Sequence, residues 1–223
     1  MELMVVVILI GILTVMALPT MAEAHYSART LDDATKIAEL YRSARTRALG
    51  RGAAMLVQGA SMNLYNSMNG APTNVSGGLG VFFLYEAQVA VTGIAGSGLL
   101  PLPPGSPLSS CGVPTTVWPT IIASASTTLM DEVNLNTTAE QGAQIWSTIS
   151  DSNGPETVTS LCYTPLGRTY YALSATPVFT AGANLLHGEL QIAVQRSGLG
   201  GPVSGLTRTV IIPDSGATRI VSR

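Results

Sequence analysis

Glu2 stands immediately before Leu3-Met4-Val5-Val6-Val7-Ile8-Leu9-Ile10-Gly11-Ile12-Leu13-Thr14-Val15-Met16-Ala17-Leu18, an uncharged run interrupted only by Gly11 and Thr14. An ionisable group at the head of such a segment is costly to desolvate and so is a functional candidate. The plainer reading is an acid favoured by a helix macrodipole. Cys111 and Cys162, the only two cysteines, enclose a loop of roughly 51 residues. In an oxidising compartment they would bridge, contributing about 4 kcal/mol by loop entropy; otherwise they are two buried thiols. Asp151-Ser152-Asn153-Gly154-Pro155-Glu156 and Asp131-Glu132 offer oxygen ligands. Neither has full calcium-loop spacing, so both read as solvated turns. His25 and His187 have no Cys or acid at zinc-ligand or nucleophile spacing, and read as structural. No catalytic residue, metal or cofactor is expected. Asn74-Val75-Ser76 and Asn136-Thr137-Thr138 match the glycosylation sequon, a pattern with a high false-positive rate.

The chain that must position these residues divides by charge. Only 11% of its 223 residues are charged and 46% are apolar, which argues against intrinsic disorder. A net charge of −2 gives no general drive toward nucleic acid or an anionic membrane surface. Arg29, Lys36, Arg42, Arg45, Arg47 and Arg51 cluster early, and no further Lys or Arg occurs until Arg168. Three zones follow: residues 1–20 as a hydrophobic helix with membrane readings, 21–52 as an amphipathic helix packing on the head, and 53–223 as a β-rich globular head with long loops.

Residues 3–18 would rise about 24 Å as a helix, short of the roughly 30 Å hydrocarbon core. The rival is a cleaved signal peptide, suited by Pro19 and by Ala22-Glu23-Ala24, but opposed by Glu2 where a basic n-region belongs. In the second zone Ile37, Leu40, Tyr41, Ala44 and Ala48 share one helix face, while Asp32 with Lys36 and Glu39 with Arg42 pair on the other. That stripe is expected to lie on a sheet. The helix runs on from the apolar segment or restarts at the capping box Thr30-Leu31-Asp32-Asp33, and it stops at Gly50-Arg51-Gly52.

Beyond Gly52, β-type runs lie at 55–57, 81–85, 116–122, 144–149, 157–163, 169–173, 189–195, 207–212 and 218–221, divided by Gly, Pro, Asn and Ser. Residues 95–119 hold six prolines and no charge, which marks a surface excursion. Pro119 demotes its run to an edge strand. A single sheet covered on one face by the helix is the economical architecture.

The succession of Glu2, an unbroken apolar helix, Gly11 and Pro19 resembles the N-terminal core of type IV pilins and type II secretion pseudopilins. The leader peptide and the usual Phe-Thr-Leu-type start are absent, and Met1 is read as a truncated or misassigned beginning. In the head, Tyr163-Thr164-Pro165-Leu166-Gly167-Arg168 and Arg208-Thr209-Val210-Ile211-Ile212-Pro213-Asp214-Ser215-Gly216 resemble the aromatic-x-Pro-x-Gly-Arg turn and closing strand of the GspH/FimT group of minor pseudopilins and minor pilins. An extra residue between Pro213 and Gly216, and Ala217-Thr218 before Arg219, depart from that pattern.

The resemblance implies an α+β, pilin-like fold, with a long hydrophobic-then-amphipathic N-terminal helix packed on a β-rich head. It implies a filament core of Leu3, Val5, Val6, Val7, Ile8, Leu9, Ile10, Ile12 and Leu13, with Glu2 setting register against a neighbouring subunit. Between Gly11 and Pro19 the helix is expected to melt on assembly. Partners would be identical or related pilins, an inner-membrane assembly platform and a prepilin peptidase. The protein would reside in the bacterial inner membrane before assembly and in an extracellular or periplasmic filament afterwards, with no enzymatic activity. Some members of the FimT group bind DNA through C-terminal basic residues. Arg196, Arg208, Arg219 and Arg223 lack the accompanying lysines and aromatics and read instead as strand-edge charges, so no nucleic-acid partner is expected. From another class, the alternative is a secreted β-rich binding or adhesion domain behind a signal peptide.

Overall fold

Helix α1 (Glu2–Arg51) stops where Gly52 adopts φ +66°, a left-handed cap that glycine takes without a Cβ clash. Nine strands are described after it: β1 (Met55–Ser61), β2 (Leu79–Glu86), β3 (Leu129–Asn134), β4 (Ala143–Ile149), β5 (Val158–Tyr163), β6 (Thr169–Ala172), β7 (Glu189–Ser197), β8 (Val203–Pro213) and β9 (Arg219–Ser222). The structure, a computed structural model, describes residues 2–61, 79–87, 109–111, 129–135, 143–149, 158–172, 179, 185–197, 203–215 and 217–222. The run at 116–122, most of the 95–119 excursion, the Asp151 to Glu156 segment, both sequons and Arg223 lie outside the described residues.

The strands form two antiparallel sheets, one ordered β3-β2-β1-β5-β6 and the other β4-β7-β8-β9. In the first, β1 is central, with Val57 opposite Leu84 of β2 and Leu161 of β5. Because side chains alternate along a strand, this sheet faces two cores. Met55, Val57, Phe82, Leu84, Leu161 and Tyr163 join the helix-side cluster with Leu190, Ile192, Val194, Val210 and Ile212 of the second sheet. Leu56, Ala60, Val81, Phe83, Tyr85 and Cys162 form the other cluster. The helix stripe Ile37, Leu40, Tyr41, Ala44 and Ala48 is buried at every position, together with Ala34 and Ala38. Four of these seven are alanines, which let the helix approach the strands closely.

The expected fold is corrected. Antiparallel sheet dominates, in two sheets where one was expected, and α+β is only a loose description. Among the described residues no helix is long and apolar enough to cross a membrane, so a long apolar N-terminal helix does not define the fold. The physical reason is length: the uncharged run rises only about 24 Å, and among the described side chains of α1 burial begins only at Thr30. Thr30 donates its hydroxyl to the Tyr26 carbonyl at 2.8 Å inside the helix, and no restart occurs at the capping-box sequence. The second sheet shares the helix-side core, where its Leu190, Ile192, Val194, Val210 and Ile212 join the helix stripe and one face of β1 and β2, while the opposite face of those strands is covered by the cluster that holds Cys111 and Phe179. Strand β3, carrying Asp131 and Glu132, was read as a turn; it is a half-exposed edge strand, where charges are tolerated.

Candidate functional site

Every described side chain of α1 before Thr30 is exposed, or half-buried at Ser27. Met4 is 76% exposed and Val7 61%, and Val6, Ile10, Ile12 and Met21 are also more than half exposed. The same helix thus presents an apolar arm at one end and a buried stripe at the other. Gly11 lies in this arm with no atom within 4 Å of the position a Cβ would take. Glu2, Leu3, Val5, Ile8, Leu9, Leu13 and Pro19 lie along the same helical backbone. Their side chains are outside the described set.

Where α1 meets the first sheet, a groove of about 330 Å³ opens, lined by Lys36, Glu39, Leu40, Ser43, Asp131 and Val133. Lys36 Nζ is 3.0 Å from Asp32, an exposed i,i+4 pair worth a few tenths of a kcal/mol. Arg42, expected to pair with Glu39, instead donates to the Thr218 carbonyl at 3.1 and 2.6 Å, tying the helix to the chain just before β9. Arg51 pairs with Glu86 and fastens the helix end to β2. On β3, Asp131 Oδ1 accepts from the Glu132 amide at 3.0 Å.

Cys111 and Cys162 are joined, with Cα atoms 6.1 Å apart and both residues buried. Cys162 sits on β5 opposite Leu56 and Tyr170, so the bridge fastens residues 109–111 to the outer face of the first sheet. The Tyr163 to Arg168 segment closes the β5–β6 hairpin. There the Thr164 amide donates to the Arg168 carbonyl at 2.9 Å, and Gly167 takes φ +81°. No family model, characterised protein or solved structure matches this chain.

The residues singled out for chemistry are not brought together. His25 is exposed on the arm, and His187 is exposed beside Gly188 at the entry to β7. Among the described residues no group of three or more His, Cys, Asp or Glu is arranged to hold a metal. Arg196, Arg208 and Arg219 fall on three successive strands of the second sheet. Sequence reading missed the groove, because its two walls are Lys36 to Ser43 and a strand far along the chain. The available signal was that Lys36, Glu39 and Ser43 leave the apolar stripe on the side of Leu40.

Proposed function

We propose that the chain is a non-enzymatic structural subunit, a pilin or pseudopilin, of a bacterial type IV pilus-like filament. The observation that carries this reading is the exposed apolar arm on a helix whose other half is locked into the head. The exposed apolar side chains of Met4, Val6, Val7, Ile10 and Ile12 call for a partner surface, and the arms of identical or related subunits supply one of the same chemistry. Before assembly the arm would be inserted in the inner membrane, served by an assembly platform and a prepilin peptidase. The buried Cys111–Cys162 bridge is in keeping with an exported head. Such a filament would serve attachment, motility or DNA uptake, or drive type II secretion.

The test is Glu2→Gln, which keeps size and deletes charge. In an apolar filament core the carboxylate is costly unless a cation of the neighbouring subunit meets it. The head should then fold as in the wild type by circular dichroism, while electron microscopy finds at least tenfold fewer filaments. A variant polymerising to wild-type length and abundance removes the register role. N-terminal sequencing of the mature product is the second arm. A start at His25 overturns the filament reading in favour of a secreted binding domain.

A further inference from the structure

The two sheets end in edges of opposite charge. Among the described residues β3 terminates the first sheet and β9 the second. β3 exposes Asp131 and Glu132, and between Arg51 and Arg168 the sequence contains no cation to balance them. β9 exposes Arg219, whose contact with Glu189 is long at 3.5 Å and largely solvated, so exchanging that partner costs little. Each edge also shows an apolar residue, Leu129 at 48% and Val221 at 37%. The edges flank different sides of α1: the groove residues Glu39 and Ser43 lie toward β3, while Arg42, roughly 60–100° round the helix from them, reaches Thr218 beside β9.

We propose that the β9 edge of one copy docks on the β3 edge of a second copy, with the Arg219 guanidinium entering the α1–β3 groove between Glu39 and Asp131. The groove fits that group. Leu40 and Val133 give the lining apolar surface that suits the flat face of a guanidinium, and Glu39 and Asp131 give it carboxylates that can accept from the N–H donors. Lys36 lines the same groove and pairs with Asp32 at 3.0 Å, so two acids of the lining, Glu39 and Asp131, stand against one lysine. β3 and β9 are terminal strands among the described residues, so main-chain pairing between the two edges would add to the contact. Two β3 edges repel one another, as do two β9 edges, so only the unlike pairing is favoured. Such a contact is heterologous, and it extends into an open helical array wherever the rotation between copies does not close a ring. The inference deepens the filament reading and rests on it for the setting in which heads are brought side by side.

The experiment mixes two full-length single variants, L129C and V221C, in detergent and in assembled material, with a short bis-maleimide. The native bridge is buried and leaves only the new thiols to react. Unlike pairs should cross-link at least tenfold faster than either like pair. R219E in the V221C chain should abolish that excess, and D131R in the L129C partner should restore it when combined with R219E, which a merely misfolded variant could not do. Equal rates for like and unlike pairs, indifference to R219E, or failure of the swap to restore cross-linking each overturn the contact. Filaments that form without L129C–V221C cross-links sink the contact and leave the filament reading standing. Unlike cross-links with no filaments under any condition do the reverse.

Discussion

Tyr41 carries its phenol into the helix-side core, where its ring meets Phe82 edge to face at 6.4 Å and its hydroxyl has no hydrogen-bond partner among the described residues. Burial pushes its ionisation well above the ordinary value of 10.0, and the nearby Thr159 hydroxyl offsets this only in part, without reaching hydrogen-bond geometry. Tyr163 is raised in the same way, first by burial and then by Tyr41, with Arg45 opposing. Both phenols therefore stay neutral in the fold at a pH where they ionise in the unfolded chain. Their stabilising contribution is complete below about pH 10 and declines as pH rises toward the folded-state values, by up to about 1.4 kcal/mol per pH unit for each group. Tyr41→Phe removes one of the two and deletes a buried hydroxyl that lacks a partner. At neutral pH its unfolding free energy should lie within about 1 kcal/mol of wild type. Urea titrations at about pH 8 and pH 11 should show the variant losing roughly half as much stability as the wild type over that interval. An equal loss in both proteins would mean that Tyr41 does not resist ionisation in the fold.

At the scale of elements, the central strand depends on a glycine. A Cβ at Gly59 would lie 2.8 Å from Thr159 Oγ1 and 2.9 Å from the Phe82 ring, its cross-strand neighbours on β5 and β2. Gly59→Ala is thus an overpacking change, expected to cost about 1–3 kcal/mol and to show as a lower thermal midpoint. A melting curve unchanged from wild type would mean that β1 shifts freely between its neighbours. The same position shows what was legible in the sequence. A β-type run at 81–85 announces β2 because its own residues are aromatic and β-branched, and the stripe from Ile37 to Ala48 announces the buried helix face by spacing alone. Gly59 announces nothing, since its need for glycine is set by Phe82 and Thr159 across the register. β3 was hidden because acids interrupt it, and an edge strand tolerates what a central strand does not. The exposed arm was legible as an apolar run. The groove was not, because Glu39 and Asp131 face one another only once β3 has paired with β2.

At the scale of the whole molecule, the head is held by covalent as well as packed contacts. The Cys111–Cys162 bridge spans a sequence separation of 51 residues and lies in the cluster of Leu56, Val81, Phe83 and Tyr85, on the face of the first sheet turned away from the helix. That face has no α-helix over it among the described residues, and Cys111 and Phe179 are brought in from other parts of the chain to cover it. The bridge should therefore both cross-link the unfolded chain and hold part of this cover in place. Closing a loop of that length contributes about 4 kcal/mol by chain entropy. For a protein of this size each kcal/mol moves the thermal midpoint by about 2–4 °C, so the double variant C111A/C162A should melt about 8–16 °C lower. Scanning calorimetry of the full chain in detergent, kept below the concentration at which subunits assemble, reads this without the added stability that assembly would supply. Wild type incubated folded with reductant, then freed of it before the scan, should keep its midpoint nearly unchanged, because both sulfurs are buried. A double variant melting within about 2 °C of wild type would mean that packing of the second cluster alone holds this face, with the bridge contributing less than about 1 kcal/mol.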